Sequence, residues 1–276
     1  MPSKIWRLDP LEAYERPYEY AVQDQFQREA TKLLPELYPL LNNKNNEYRV
    51  DDQSASKACW LLAMEALDCL RESLAALEQK RHRVFSALLR TTHEVLDLAT
   101  YFHAQGETEN GAKQLKKWYR DEFIEHKVYR NWIEVRDGPT ARKRETDKYR
   151  SLSRFTHRSY RTLLHGYSVG VGDRLVHDAT AELYGESAGS RTMLVLPHTM
   201  ALYFSALAQS ILRFVTDVGD LALATPEALN RAMQDSLEPE SEPWRFTTPQ
   251  EIYERHLESL ESQLEAEDDP ATTVDE

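Results

Sequence analysis

Apolar residues recur every three or four positions along most of this chain, and that periodicity commits it to helices. Ala58, Leu61, Leu62, Leu67, Leu70, Leu74 and Leu77 keep the spacing in one stretch; Val84, Leu88, Val95, Ala99 and Phe102 keep it in the next. Strand-like alternation is almost absent, and 9 glycines among 276 residues are few for a turn-rich β architecture. The expected fold is all-α: an antiparallel bundle of four or five long helices with additional C-terminal helices.

Capping and breaking residues set the expected boundaries. A first helix runs from Pro17 to Leu34, where Pro35 and Pro39 disturb it. Ser54 is a good N-cap for the second, and Gly106 ends the third. A fourth helix is expected over Ala112–Val135, broken by Asp137-Gly138-Pro139, and a fifth over Arg142–Tyr167. The glycines near Gly170 lead to a short helix over Asp173–Tyr184, then an apolar helix from Pro197 to Leu223. Thr225-Pro226-Glu227 opens a last helix to Leu237. Residues 1–236 thus read as one helical domain and residues 237–276 as an acidic, largely flexible tail. The tail carries one amphipathic piece, Pro249–Leu264.

The net charge of -12 is unevenly placed. From Glu238 to Glu276 there are 13 acidic residues against Arg245 and Arg255, whereas Lys113–Arg174 holds 16 Lys or Arg against 8 Asp or Glu. Such asymmetry points to an anionic partner for the basic middle, and to a protein partner or the chain's own basic patch for the tail. A solvated surface with a solubilising tail accounts for the same numbers. Cys59 and Cys69 lie too far apart along one helix, about 15 Å, for a disulfide. With no apolar run after Met1, reduced thiols in a cytoplasmic protein are the expectation. The most apolar stretch, Met193–Val215, contains Pro197 and Arg213 and is too short to span a membrane.

No metal site or cofactor is expected: the histidines show no Glu-x-x-His or His-x-x-x-His spacing. The glycines near Gly170 lack both the lysine and the preceding strand of a phosphate loop. Two polar stripes remain. Arg90 and Glu94 share a helix face with Asp97 and Tyr101. Arg150, Arg154, His157 and Arg161 fall within about 60° on another helix, with Ser153 at their edge. An imidazole among guanidinium groups stays neutral near pH 7 and can act as a general base, while the arginines hold a phosphate. The same residues also suit a structural Arg-Glu-Ser-His network that locks the bundle.

The order Leu89-Arg90-x-x-x-Glu94, then Tyr149-x-x-Leu152-Ser153-x-x-x-His157, resembles a bacterial family of uncharacterised helical proteins, over Cys59–Leu212. That family in turn looks like the HEPN group of helical bundles. Many HEPN proteins are metal-independent ribonucleases of toxin–antitoxin and phage-defence systems. The resemblance implies a homodimer acting on RNA. His157 and Arg150 would be catalytic, Arg154, Arg161 and Ser153 would bind substrate, and Arg90 and Glu94 would support them. Arg150 is followed by Ser151, where active HEPN members often carry a polar amide, and the chain exceeds a minimal HEPN domain. The rival reading is a non-catalytic helical interaction module.

Overall fold

A computed structural model describes residues 20–237, apart from 80, 157–159, 165–166, 170–173, 178–191 and 194–196. Within them the chain is all-α with one small sheet. The helices are α1 (Tyr20–Leu41), α2 (Ala55–Glu78), α3 (His82–Gln105), α4 (Glu109–Trp118), α5 (His126–Asp137), α6 (Pro139–Thr156), α7 (Tyr160–Leu164), α8 (Pro197–Asp220) and α9 (Pro226–Ser236). Strands β1 (Tyr167–Val169), β2 (Leu175–His177) and β3 (Thr192–Met193) pair antiparallel in the order β2-β1-β3. Ser168 sits opposite Val176 on one side and Met193 on the other.

The helices α2 and α3 form the most extensive contact and are joined by a link of three residues, so they run antiparallel. With α1 and α8 they enclose the core, where Phe26, Leu34, Leu67, Leu70, Phe85, Phe102 and Phe214 are fully buried. Phe26 meets Phe204 edge to face at 6.1 Å. α3 also carries a second layer, made of α4, α5 and α6, on its other side.

Local chemistry explains most boundaries. Ser54 accepts from Lys57 N–H and starts α2; Thr108 and Thr225 cap α4 and α9 in the same way. Orphan carbonyls at the end of α1 are met by side chains: Asn46 donates to Leu41 O at 2.9 Å and Leu223 O at 2.6 Å, and Trp60 Nε1 also donates to Leu41 O. Gly106 closes α3 because a Cβ there would lie 2.7 Å from Ala55 Cβ and 2.5 Å from Phe102 O. Gly138, at φ 87°, makes the sharp turn between α5 and α6.

The structure departs from the sequence reading in five places. α1 continues through Pro35 and Pro39. Both prolines lie on its exposed face, and the burial of Leu33, Leu34, Leu37 and Leu41 outweighs the lost hydrogen bonds. The apolar face of α3 is rotated: Val84 is exposed, and Phe85, Leu89, Leu96, Ala99 and Phe102 form the core stripe. The expected fourth helix is two, because Asp121 adopts φ 60° and Ile124 tucks inward, while Tyr119 OH donates to Ser54 O. The expected fifth helix is α6 and α7, with residues 157–159 outside the described set and Tyr167 on β1. Leu175–His177, expected in a helix, pairs as β2, and β1 ends immediately before Gly170. The expected amphipathic piece Pro249–Leu264 and the rest of the tail lie outside the described residues.

Candidate functional site

The polar residues of α3 face α5, α6 and α8, and they divide into two adjoining clusters. Arg213 is the hub of the first. It enters from α8, between the apolar neighbours Ile211, Leu212, Phe214 and Val215. Its Nη2 donates to Asp97 Oδ1 at 2.5 Å and its Nε to Asp217 Oδ2 at 3.2 Å, while Glu145 Oε2 of α6 lies 3.8 Å from Nη1. Nη1 also donates to His93 Nδ1 at 2.9 Å. Ser210 Oγ spends its proton on Ala206 O, so it accepts from His93 Nε2 at 3.2 Å, which makes the imidazole the Nε2–H tautomer.

Burial dominates the electrostatics here. It pushes the Asp97 and Asp217 carboxyls above their usual range, with Arg213 pulling the other way. Burial also opposes the charge on Arg213, but Asp97 and Asp217 outweigh it and hold the guanidinium charged. A cleft of about 590 Å³ opens beside this cluster, walled by Trp132, Arg136, Arg144, Gln209 and Asp220. Because Arg213 already serves three carboxylates, this cluster works as a clamp between α3, α6 and α8.

The second cluster is more open. Arg90 Nε donates to Glu94 Oε1 at 2.9 Å, and Arg90 Nη2 donates to the Tyr149 hydroxyl of α6. The Arg90 guanidinium lies 4.3 Å from the Tyr149 ring centre, and Arg130 of α5 lies 4.2 Å from it. His126, the first residue of α5, packs 5.6 Å from the same ring; its Nδ1 meets the Tyr129 hydroxyl and its Nε2 lies 4.0 Å from Glu94 Oε1. Burial lowers the His126 pKa, Arg130 and Arg90 lower it further, and Glu94 opposes them. Burial raises that of Tyr129. The side chains of Arg90, Glu94 and His126 are 28%, 24% and 30% exposed, so solvent and solutes reach them.

The expected site residues are distributed unevenly. Arg90 and Glu94 pair, and Tyr149 and His126 are their partners. Arg150 is 72% exposed and, among the described residues, pairs with Asp147 at 3.9 Å. Ser153 is half-buried one turn beyond Tyr149. Arg154 lies on α6 and Arg161 on α7, but their side chains, and the whole of His157, lie outside the described residues. Among the described residues no group of three His, Cys, Asp or Glu could hold a metal ion, and no helix is long and apolar enough to cross a membrane.

His126, Arg130, Glu145 and Asp217 were not singled out by sequence reasoning. A charged residue inside the apolar run Met193–Val215 is the signal that marks Arg213. Two Gly-x-Ser-x-Gly spacings also occur, Gly166–Gly170 and Gly185–Gly189. Ser168 of the first lies mid-strand in β1, paired on both sides, and so does not sit on a nucleophile elbow; Ser187 of the second lies outside the described residues. No family model, no curated protein and no solved structure matches the chain.

Proposed function

We propose that this chain is a HEPN-like protein that acts on RNA, holding the phosphate backbone on the layer formed by α4, α5 and α6. The observation that carries this reading is the segregation of charge. The three helices hold 12 Lys or Arg against 5 Asp or Glu. The core helices α1 and α2 hold 4 against 7. Phosphate contacts by Lys and Arg supply most of the affinity of a protein for nucleic acid. Phe123 and Tyr160, 75% and 73% exposed, flank this layer and suit the stacking of unpaired bases.

In the catalytic form of the proposal, implied by the resemblance, His157 takes the proton of a ribose 2′-OH. The 2′-oxygen bonds to phosphorus as the P–O5′ bond breaks, leaving a 2′,3′-cyclic phosphate and a 5′-hydroxyl that receives the proton; Arg150, with Arg154 or Arg161, stabilises the phosphorane, and two copies of the chain build one groove. The exposure of Arg150 supports its availability to a substrate. A second reading, a non-catalytic interaction module, is favoured by the closed ion pairs Arg90–Glu94 and Arg213–Asp97, which tie α3 to its own helix surface and to α8.

The test is a single-stranded RNA, fluorescently labelled, mixed with the full chain in a chelator. Binding is followed by anisotropy and cleavage on a gel, for the wild type, His157→Ala and Arg150→Ala. Binding with cleavage that both substitutions abolish supports a metal-independent ribonuclease. Binding without cleavage leaves RNA recognition and removes the catalytic form; no binding removes the proposal.

A further inference from the structure

The Arg90–Tyr149–Arg130 arrangement brings two guanidinium groups onto one ring beside a single ion-paired carboxylate, Glu94. Two guanidinium groups from different helices lie within 4.3 Å of one aromatic ring. The carboxylate beside them, Glu94, is engaged by Arg90 through Nε. Asp97, one turn further along α3, is engaged by Arg213. Among the described residues Arg130 donates to no acceptor; its contact is the face of Tyr149, and its charge acts on Asp97 and His126. A half-buried guanidinium loses hydration that a ring face replaces only in part, and its planar fork of five N–H donors is the geometry that grips an oxyanion.

His126 sits one turn before Arg130 on the same face of α5, and both pack on Tyr149. Burial lowers the pKa of His126, and around it the charges of Arg130 and Arg90 are opposed by those of Glu94 and Asp97. The charged and titratable groups facing it are Arg90, Glu94 and Asp97 from α3, Tyr129 and Arg130 from α5, and Tyr149 from α6. One bound anion would give Arg130 the acceptor that the described residues do not supply. We propose that Arg130 and Arg90, stacked on Tyr149 with His126 beside them, form a binding site for a single phosphoryl group, either free phosphate or one phosphodiester of an RNA strand. The proposal rests on the RNA reading only for the identity of the larger ligand. Tyr149 sets the spacing of the two guanidinium groups, and Glu94 fixes Arg90 so that its Nη1 remains for the ligand.

The experiment titrates the full chain with inorganic phosphate and, separately, with a short oligouridylate. Binding is followed through the arginine Nε–H and histidine resonances by NMR. The variants are Arg130→Gln, Arg130→Lys and Lys143→Gln, the last an exposed lysine of the same layer outside the site. Circular dichroism confirms that each is folded. Loss of a charge-assisted bidentate contact predicts about tenfold weaker phosphate binding for Arg130→Gln, a smaller loss for Arg130→Lys, and less than about twofold for Lys143→Gln. Phosphate that fails to bind, or binds Arg130→Gln as well as wild type, overturns the site. If RNA binds with equal losses for Arg130→Gln and Lys143→Gln, the site falls and the RNA reading stands. If phosphate binding depends on Arg130 and RNA does not bind, the site stands and the RNA reading falls.

Discussion

Replacing Arg213 with methionine tests whether the α3–α8 clamp is as costly to open as its geometry implies. The Arg213 side chain is 22% exposed, and those of its partners Asp97 and Asp217 are 9% and 16% exposed. Methionine fills a similar volume but leaves Asp97, Asp217 and Glu145 facing one another without a cation. Removing one partner from a buried ion pair costs about 3–5 kcal/mol, because the charge left behind is neither solvated nor paired. For a chain of this size each kcal/mol moves Tm by about 2–4 °C, so the melting point should fall by roughly 6–20 °C.

The loss should also depend on pH. Burial already raises the Asp97 and Asp217 pKa values, and Arg213 limits the rise. Without the arginine they rise further above the unfolded value of about 3.9. A raised folded-state pKa means that the folded protein binds more protons, so stability is highest at low pH and is lost as pH climbs through that pKa. Urea unfolding followed at 222 nm should therefore show a smaller penalty at pH 5 than at pH 7.5. A penalty under about 1 kcal/mol at pH 7.5, or the same at both pH values, would refute the buried-pair argument.

Three further outcomes follow from the packing. Gly106→Ala should cost about 1–3 kcal/mol, measured by denaturant melts, because the new methyl meets Ala55 and the Phe102 carbonyl; a neutral result would mean that the α2–α3 contact is looser than described. Asn46→Ala should cost about 1–3 kcal/mol by removing the donor shared by Leu41 O and Leu223 O. Its melting curve should remain a single transition. The Cys59 and Cys69 thiols are both buried, which pushes each pKa up to about 12; both should resist a disulfide-exchange reagent at pH 8 until the chain is unfolded in urea, and prompt labelling would contradict their burial.

The fold class was legible because helical periodicity is a local property, set by residues three and four apart. The caps at Ser54 and Thr225 were legible for the same reason. Departures arose where distant contacts decide. Pro35 and Pro39 read as breakers, but leucines on the opposite face bind α1 to the core. The break between α4 and α5 depends on Tyr119 reaching Ser54, sixty-five residues away.

The same division holds for the site. Arg90 and Glu94 were visible as an i,i+4 pair. Their companions Tyr149, His126 and Arg130 come from two other helices whose faces no local pattern aligns with α3. Arg150 is turned toward solvent and Asp147, and the side chains of Arg154 and Arg161 and the whole of His157 lie outside the described residues.

The most direct test of the central claim is the salt dependence of RNA binding by the intact chain. Each phosphate neutralised on a single strand contributes about -0.7 to the slope of log K against log salt, so engagement of roughly four phosphates gives a slope near -3. Arg130→Gln should weaken binding and make the slope shallower by about 0.7. Binding with a slope near zero, or no measurable binding at low salt, would contradict the assignment of the α4–α6 layer as a surface for nucleic-acid phosphate.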